Sequence, residues 1–224
     1  MVPFKLRQEL PTSEHFQDTD FWSSYHGQAV GQVDRLISIL ERLWDSSCEK
    51  ELQFEDDVNA SEIIAKTIEM MRVEFDQRGL ELHANLQDDL PHMTTSPVKL
   101  GQLVRLLLQD ALVNLSPGHQ VVVGFESHED SDPDAPPMMH LWIADNSPPI
   151  SEASLPHLFD PFFQRGNNPH DLGTNLMACY HIVHLHGGTI EARNDFDGHT
   201  AIHVMLPRWP QHRSEISQQD LASK

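Results

Sequence analysis

From Asn59 to Leu206 the apolar residues switch repeatedly between a spacing of three or four and a spacing of two. That sequence of spacings limits the folds open to this chain more than any other feature. Ile64, Ile68, Met71 and Phe75 lie four, three and four apart, which predicts a helix. Asn59 suits its N-cap, Glu62 is the capping-box partner three residues on, and Gly79 ends it. Leu80, Leu82 and Ala84 then alternate with polar residues, as a strand does. A second helix has Ser96 as N-cap and Pro97 in its first turn. It runs to about Asn114 with Leu100, Leu103, Leu107 and Ala111 on one face. Val121–Glu126 and Met139–Ala144 read as strands, joined by the acidic, Pro-rich loop Ser127–Pro137. A further helix runs from about Thr174 to His186 and stops at Gly187. Thr189–Arg193 and Thr200–Leu206 form a closing hairpin around Asp197-Gly198. There is no internal repeat. Helices and strands in this order predict an α+β sandwich, a mixed sheet covered on one face by helices.

A long N-terminal helix is expected before the sandwich. Ala29, Val33, Leu36, Leu40 and Leu43 fall four, three, four and three apart, which is heptad spacing. Val30, Ile37 and Trp44 add a second stripe seven apart. Two adjacent apolar faces suit burial on more than one side, although Gly27 and Gly31 weaken the first half by about 1 kcal/mol each. The expected division is a flexible leader and dimerisation-like arm over 1–50, a main domain over 51–207 and a disordered tail over 208–224. Glu49–Asp57 reads as an acidic joint between the first two.

Composition narrows the function. Of the 224 residues 39% are hydrophobic and 22% charged, enough for a real core in a soluble protein. No segment approaches the ~18 consecutive apolar residues of a membrane span, and the first twenty lack the order of a signal peptide. Cys48 and Cys179 lie far apart without metal-like spacing, as expected of reduced thiols in a cytoplasm. The net charge of −19 argues against a nucleic-acid partner. Between Leu106 and Ala192 the only Lys or Arg is Arg165, against eleven Asp and Glu. That is an unhelpful field for any polyanion.

Five segments recur in a recognisable order: Gln102–Ala111, Ile143-Ala144-Asp145-Asn146, Leu158–Phe163, Leu185-His186-Gly187-Gly188 and the Thr200–Pro207 strand. In order and spacing they resemble the ATP-binding domain of bacterial sensor histidine kinases, the GHKL or Bergerat-fold family, over roughly residues 50–207. The resemblance implies a Bergerat-type α/β sandwich. It also implies a cleft that would hold ATP and magnesium.

The family's nucleotide-facing groups are largely missing. Its helix supplies two Asn four apart and a basic residue three further on; aligned on Gln102, those positions are Leu106, Asp110 and Val113. Asp110 is a hard oxygen ligand that suits magnesium, whereas Leu106 and Val113 suit core packing. The family's next motif is an Asp that binds the adenine amino group, followed by two glycines. Asp145 remains, but Ser147 and Pro149 replace the glycines and Pro148 stiffens the turn further. The phosphate-cradling stretch keeps one glycine of three, Gly173, with Asp171 and Asn175 at the other two positions. Asp171 brings negative charge towards the phosphates, and also suits a helix cap. In the last motif His199 replaces a glycine and Thr200 remains. Asp110, Asp145, Gly173 and Thr200 are thus vestigial positions of the ATP site.

The family's phosphoacceptor, a His at the start of a helical hairpin followed by an acidic residue, has no counterpart before Phe21. His15 precedes Phe16, and His26 precedes Gly27. His181 and His184 have the His-x-x-His spacing of a zinc pair, but no third ligand is evident and no metal is expected. The expectation is a degenerate histidine-kinase-like protein of two-component signalling, with no catalytic residue and no cofactor. Its partner would be a histidine kinase or response regulator, and residues 21–45 would pair two copies. Two alternatives remain open. One is a functional ATP-binding kinase module using Asp110, Asp145 and Gly173. The other is a histidine phosphotransferase using a His such as His26.

Overall fold

A computed structural model describes residues 53–128, 135–160, 163, 174–194 and 199–210. The arm over 21–45, His15, His26, Asp171, Gly173, the Asp197-Gly198 turn and the tail from 211 onward lie outside the described residues. β1 is Glu55–Val58, α1 Ala60–Arg78, β2 Glu81–Leu86, β3 Met93–Thr95 and α2 Pro97–Asn114. β4 is Gln120–His128, β5 Met138–Asp145, α3 Thr174–Leu185, β6 Thr189–Asn194 and β7 Thr200–Pro207, with a 3₁₀ turn at Leu155–His157.

The local signals explain the helix ends. The Asn59 side chain accepts from the Glu62 N–H at 3.2 Å. Gly79, at φ 68°, takes the left-handed turn that closes α1, and the Leu80 N–H donates to Phe75 O. α1 buries Ile64, Ile68, Met71 and Phe75, the stripe that its spacing predicts. Ser96 stands at the N-cap of α2, but its hydroxyl makes no capping bond. Its backbone N–H is held instead by His186 Nε2 at 3.4 Å.

Five strands form one sheet in the order β2-β4-β5-β7-β6. β2 runs parallel to β4 and the remaining pairs are antiparallel, so the sheet is mixed. Val121, Val123 and Phe125 of β4, Met139, Leu141 and Ile143 of β5, and Ile202, Val204 and Leu206 of β7 face the helices. This is the helix-covered α+β sandwich expected from the order of elements. The other face carries Glu126, His140, Trp142, His203 and Met205, none of them fully buried. No described helix is long and apolar enough to cross a membrane.

One expectation needs correction. The acidic joint Glu49–Asp57 is not all connector, because β1 pairs antiparallel with β3, Glu55 facing Thr95 and Val58 facing Met93. Only Val58 of β1 is buried, so its sequence carries no period of two. The strand exists because β3, some forty residues away, supplies the ladder.

Candidate functional site

The sheet brings two of the candidate site positions together. Asp145 is the last residue of β5 and Thr200 the first of β7. Ala144 faces Ala201, which puts both at the same end of adjacent strands. Each is buried, at 9% and 2% exposure, and each is bonded to the protein's own backbone or loops. Asp145 Oδ1 accepts from the Ser147 N–H at 2.9 Å, and also from the Ser147 hydroxyl. An Asp folded back onto the second residue after it is ordinary turn chemistry. The turn is fixed to the sheet as well: the Gln120 N–H donates to Asn146 Oδ1 at 2.8 Å, and the Asn146 N–H donates to Gln120 O.

Thr200 holds the far side of the same loop. Its hydroxyl accepts from the Ile150 N–H at 3.1 Å and donates to Asn194 Oδ1 at 2.9 Å. The Asn194 amide donates back to Ile150 O at 2.7 Å, closing a ring of three bonds. The loop that should floor a nucleotide is therefore pinned at both ends. Pro148 and Pro149 stiffen what lies between.

Asp110 belongs to the helical layer rather than to this strand end. It is buried on α2 at 3% exposure, and its backbone carbonyl accepts from the Asn114 amide at 3.0 Å. Nearby Cys179 of α3 has its thiol pKa pushed well up, first by complete burial and then by the Asp110 charge. Leu106 packs against the core. Val113 and Asn175, at positions where the family resemblance implies phosphate contacts, line a cavity of about 540 Å³ with Glu74, Gln77, Arg78, Gln109 and Leu112. Arg78 and Glu74 enter it from the end of α1, a meeting of helices that no local sequence signal announces.

The histidines at the end of α3 and just beyond it differ in setting. His186, 2% exposed, donates from Nδ1 to Ile182 O at 2.7 Å and accepts the Ser96 N–H at Nε2. Burial lowers its pKa; the bond to Ile182 opposes that shift, and Lys99 adds to it. Its ring meets Phe54 edge-on at 5.3 Å. His184 and His181 each abut the Tyr180 ring, with centroids 4.2 and 6.1 Å away.

Residues 95–210 match the family model described as histidine kinase-, DNA gyrase B- and HSP90-like ATPase. The sensor histidine kinase TrcS of Mycobacterium tuberculosis is 35% identical over 128 residues, 55% of this chain and 24% of that protein. The adaptive-response sensory kinase SasA of Prochlorococcus marinus is 25% identical over 211 residues, 90% of this chain and 52% of that protein. The chain thus spans between about a quarter and about half the length of these two relatives. Among solved structures, the mycobacterial sensor histidine kinase MprB superimposes with a TM-score of 0.54 at 24% identity, covering 71% of this chain and 99% of that one. The histidine kinase ThkA in complex with the response regulator TrrA gives 0.61 at 19% identity, covering 89% and 55%. Both likenesses establish the fold.

Proposed function

This chain belongs to the histidine kinase-, DNA gyrase B- and HSP90-like ATPase family, and we propose that it is a member whose nucleotide site has degenerated. On this reading it acts in two-component signalling by binding a histidine kinase or response regulator rather than by turning over ATP. One observation carries the proposal. Asp145 and Thr200, two polar groups retained from the family pattern, are used to hold the protein's own loop between Ser147, Ile150 and Asn194. To reach Asp145 Oδ1 or the Thr200 hydroxyl, adenine would have to displace those bonds, each worth about 1 kcal/mol. Leu106 and Val113 offer nothing polar in exchange, and the surrounding charge is acidic.

The response-regulator half of the partner assignment draws support from ThkA, whose solved complex contains a regulator. Pairing of two copies through residues 21–45, and a cytoplasmic location, belong to the same proposal. Isothermal titration of the full chain with Mg-ATP tests it. No heat of binding up to millimolar nucleotide is expected. Micromolar affinity with measurable phosphate release would instead establish a working module using Asp110 and Asp145. Arg78 would then be the natural replacement for the cation missing at Val113, since both line one cavity.

A further inference from the structure

The face of the sheet turned away from the helices carries a cluster that the nucleotide cleft does not use. Strand register places Glu126, His140 and Met205 in one rank across β4, β5 and β7, with Trp142 opposite His203 in the next. His140 and His203 are therefore diagonal neighbours across an antiparallel pair, a gap that long or aromatic side chains can bridge. They do bridge it: His140 Nε2 and His203 Nδ1 lie 2.9 Å apart. The two ring planes differ by 15°. On the opposite edge of the ring, His140 Nδ1 is 2.9 Å from Glu126 Oε1. A carboxylate only accepts, so Nδ1 of His140 carries the proton and Nε2 presents its lone pair.

We propose that His140 and His203 form a binding site for a late first-row divalent cation, zinc or copper(II), with Glu126 as the carboxylate that orients the His140 ring. A ligating imidazole characteristically hands its second N–H to a carboxylate, which fixes the tautomer and raises its basicity. Two metal–nitrogen bonds of about 2.0–2.1 Å at a tetrahedral angle place the nitrogens about 3.3 Å apart. The pair must open by about 0.4 Å from its present separation, and each ring must turn by about 35° so that the two nitrogens, now head-on, converge on one ion. Metal ligation at His203 Nδ1 releases the proton now between the rings, and the ring stays neutral by carrying its proton on Nε2. Among the described residues no three His, Cys, Asp or Glu side chains are gathered to hold a metal ion, so the proposed site has two imidazole ligands and would need water for the rest of its coordination. The net charge of −19 favours a cation at such a surface.

The test uses the full chain freed of metal with EDTA and titrated calorimetrically with zinc chloride, then in separate runs with copper(II) chloride. His140→Gln/His203→Gln and Glu126→Gln variants run alongside, since fifteen histidines make any single isotherm ambiguous. The tightest binding event should vanish in the double variant and weaken about 10- to 100-fold in Glu126→Gln. Imidazole-resolved nitrogen NMR of the unmutated chain should show His140 Nε2 and His203 Nδ1 shifting on metal addition. An unchanged isotherm in the folded double variant overturns the proposal. If that variant does not fold, the NMR decides alone, and unmoved His140 and His203 signals overturn it. This result is independent of whether ATP binds.

Discussion

Among single residues, His186 shows how a position that resembles a family motif can serve the fold instead. Its Nδ1–H and Nε2 are both committed, to Ile182 O and the Ser96 N–H, so the neutral ring joins the end of α3 to the start of α2. Its pKa lies below the ordinary 6.5, chiefly through burial. The unfolded chain then binds the extra proton first as pH falls. Stability from this group is complete above 6.5 and is lost as pH drops through the depressed folded value. His186→Gln keeps a donor for Ile182 and an acceptor for Ser96 but cannot titrate. Urea unfolding at about pH 7.5 and about pH 5 should show a smaller acid loss in this variant than in the unmutated chain. An equal loss would place the acid sensitivity elsewhere. Cys179 makes a companion case, because burial and the Asp110 charge both oppose its thiolate. In a Cys48→Ser chain, a disulfide-exchange reagent should leave the native protein unlabelled and react fully only after unfolding.

The packing between elements turns on two glycines. A Cβ on Gly188 would lie 2.3 Å from the Met205 carbonyl oxygen and 3.2 Å from Val183, in the narrow gap between α3 and β7. A Cβ on Gly124 would lie 2.0 Å from the Trp142 indole, which covers that glycine on the outer face of the sheet. Backbone cannot step aside, whereas a partly exposed indole can rotate. Gly188→Ala should therefore lower the unfolding midpoint more than Gly124→Ala, the first costing upward of about 2 kcal/mol and the second about 1–3. Chemical denaturation of both variants checks the ranking, and the reverse order would show that the α3–β7 gap yields. The same elements show what the sequence could reveal. α1 and α2 were legible because their stripes, the Asn59 cap, Pro97 and the Gly79 stop are local, and so were the five sheet strands as short apolar runs, with β2 alternating as well. β1 was not, since one buried residue in four gives no period and its partner β3 is distant. The site divides in the same way. The Asp145 turn could be read from Asp, Asn and Ser standing together. The Thr200 ring could not, because Ile150 and Asn194 come to it from fifty and six residues away.

At the scale of the whole molecule, charge and apolar surface decide how copies of the chain can meet. On the proposed reading, a family scaffold whose Asp145 and Thr200 hold its own loop no longer holds a polyphosphate. What persists in such a chain is surface. The net charge of −19 makes self-association of the sandwich unfavourable at low salt, so any pairing of two copies must come from apolar contact elsewhere. The heptad residues Ala29, Val33, Leu36, Leu40 and Leu43 supply the candidate, with Val30, Ile37 and Trp44 widening the stripe. Light scattering coupled to size exclusion should accordingly give twice the chain mass for residues 1–224 and a single mass for residues 51–224. The full-length value should persist in high salt, because hydrophobic seams strengthen there while charge repulsion is screened. A full chain of single mass at high protein concentration would leave the arm without a second copy. Its two apolar stripes would then have to be covered by the helices of a different signalling protein, and a pull-down with residues 1–50 as the competing peptide would separate the two arrangements.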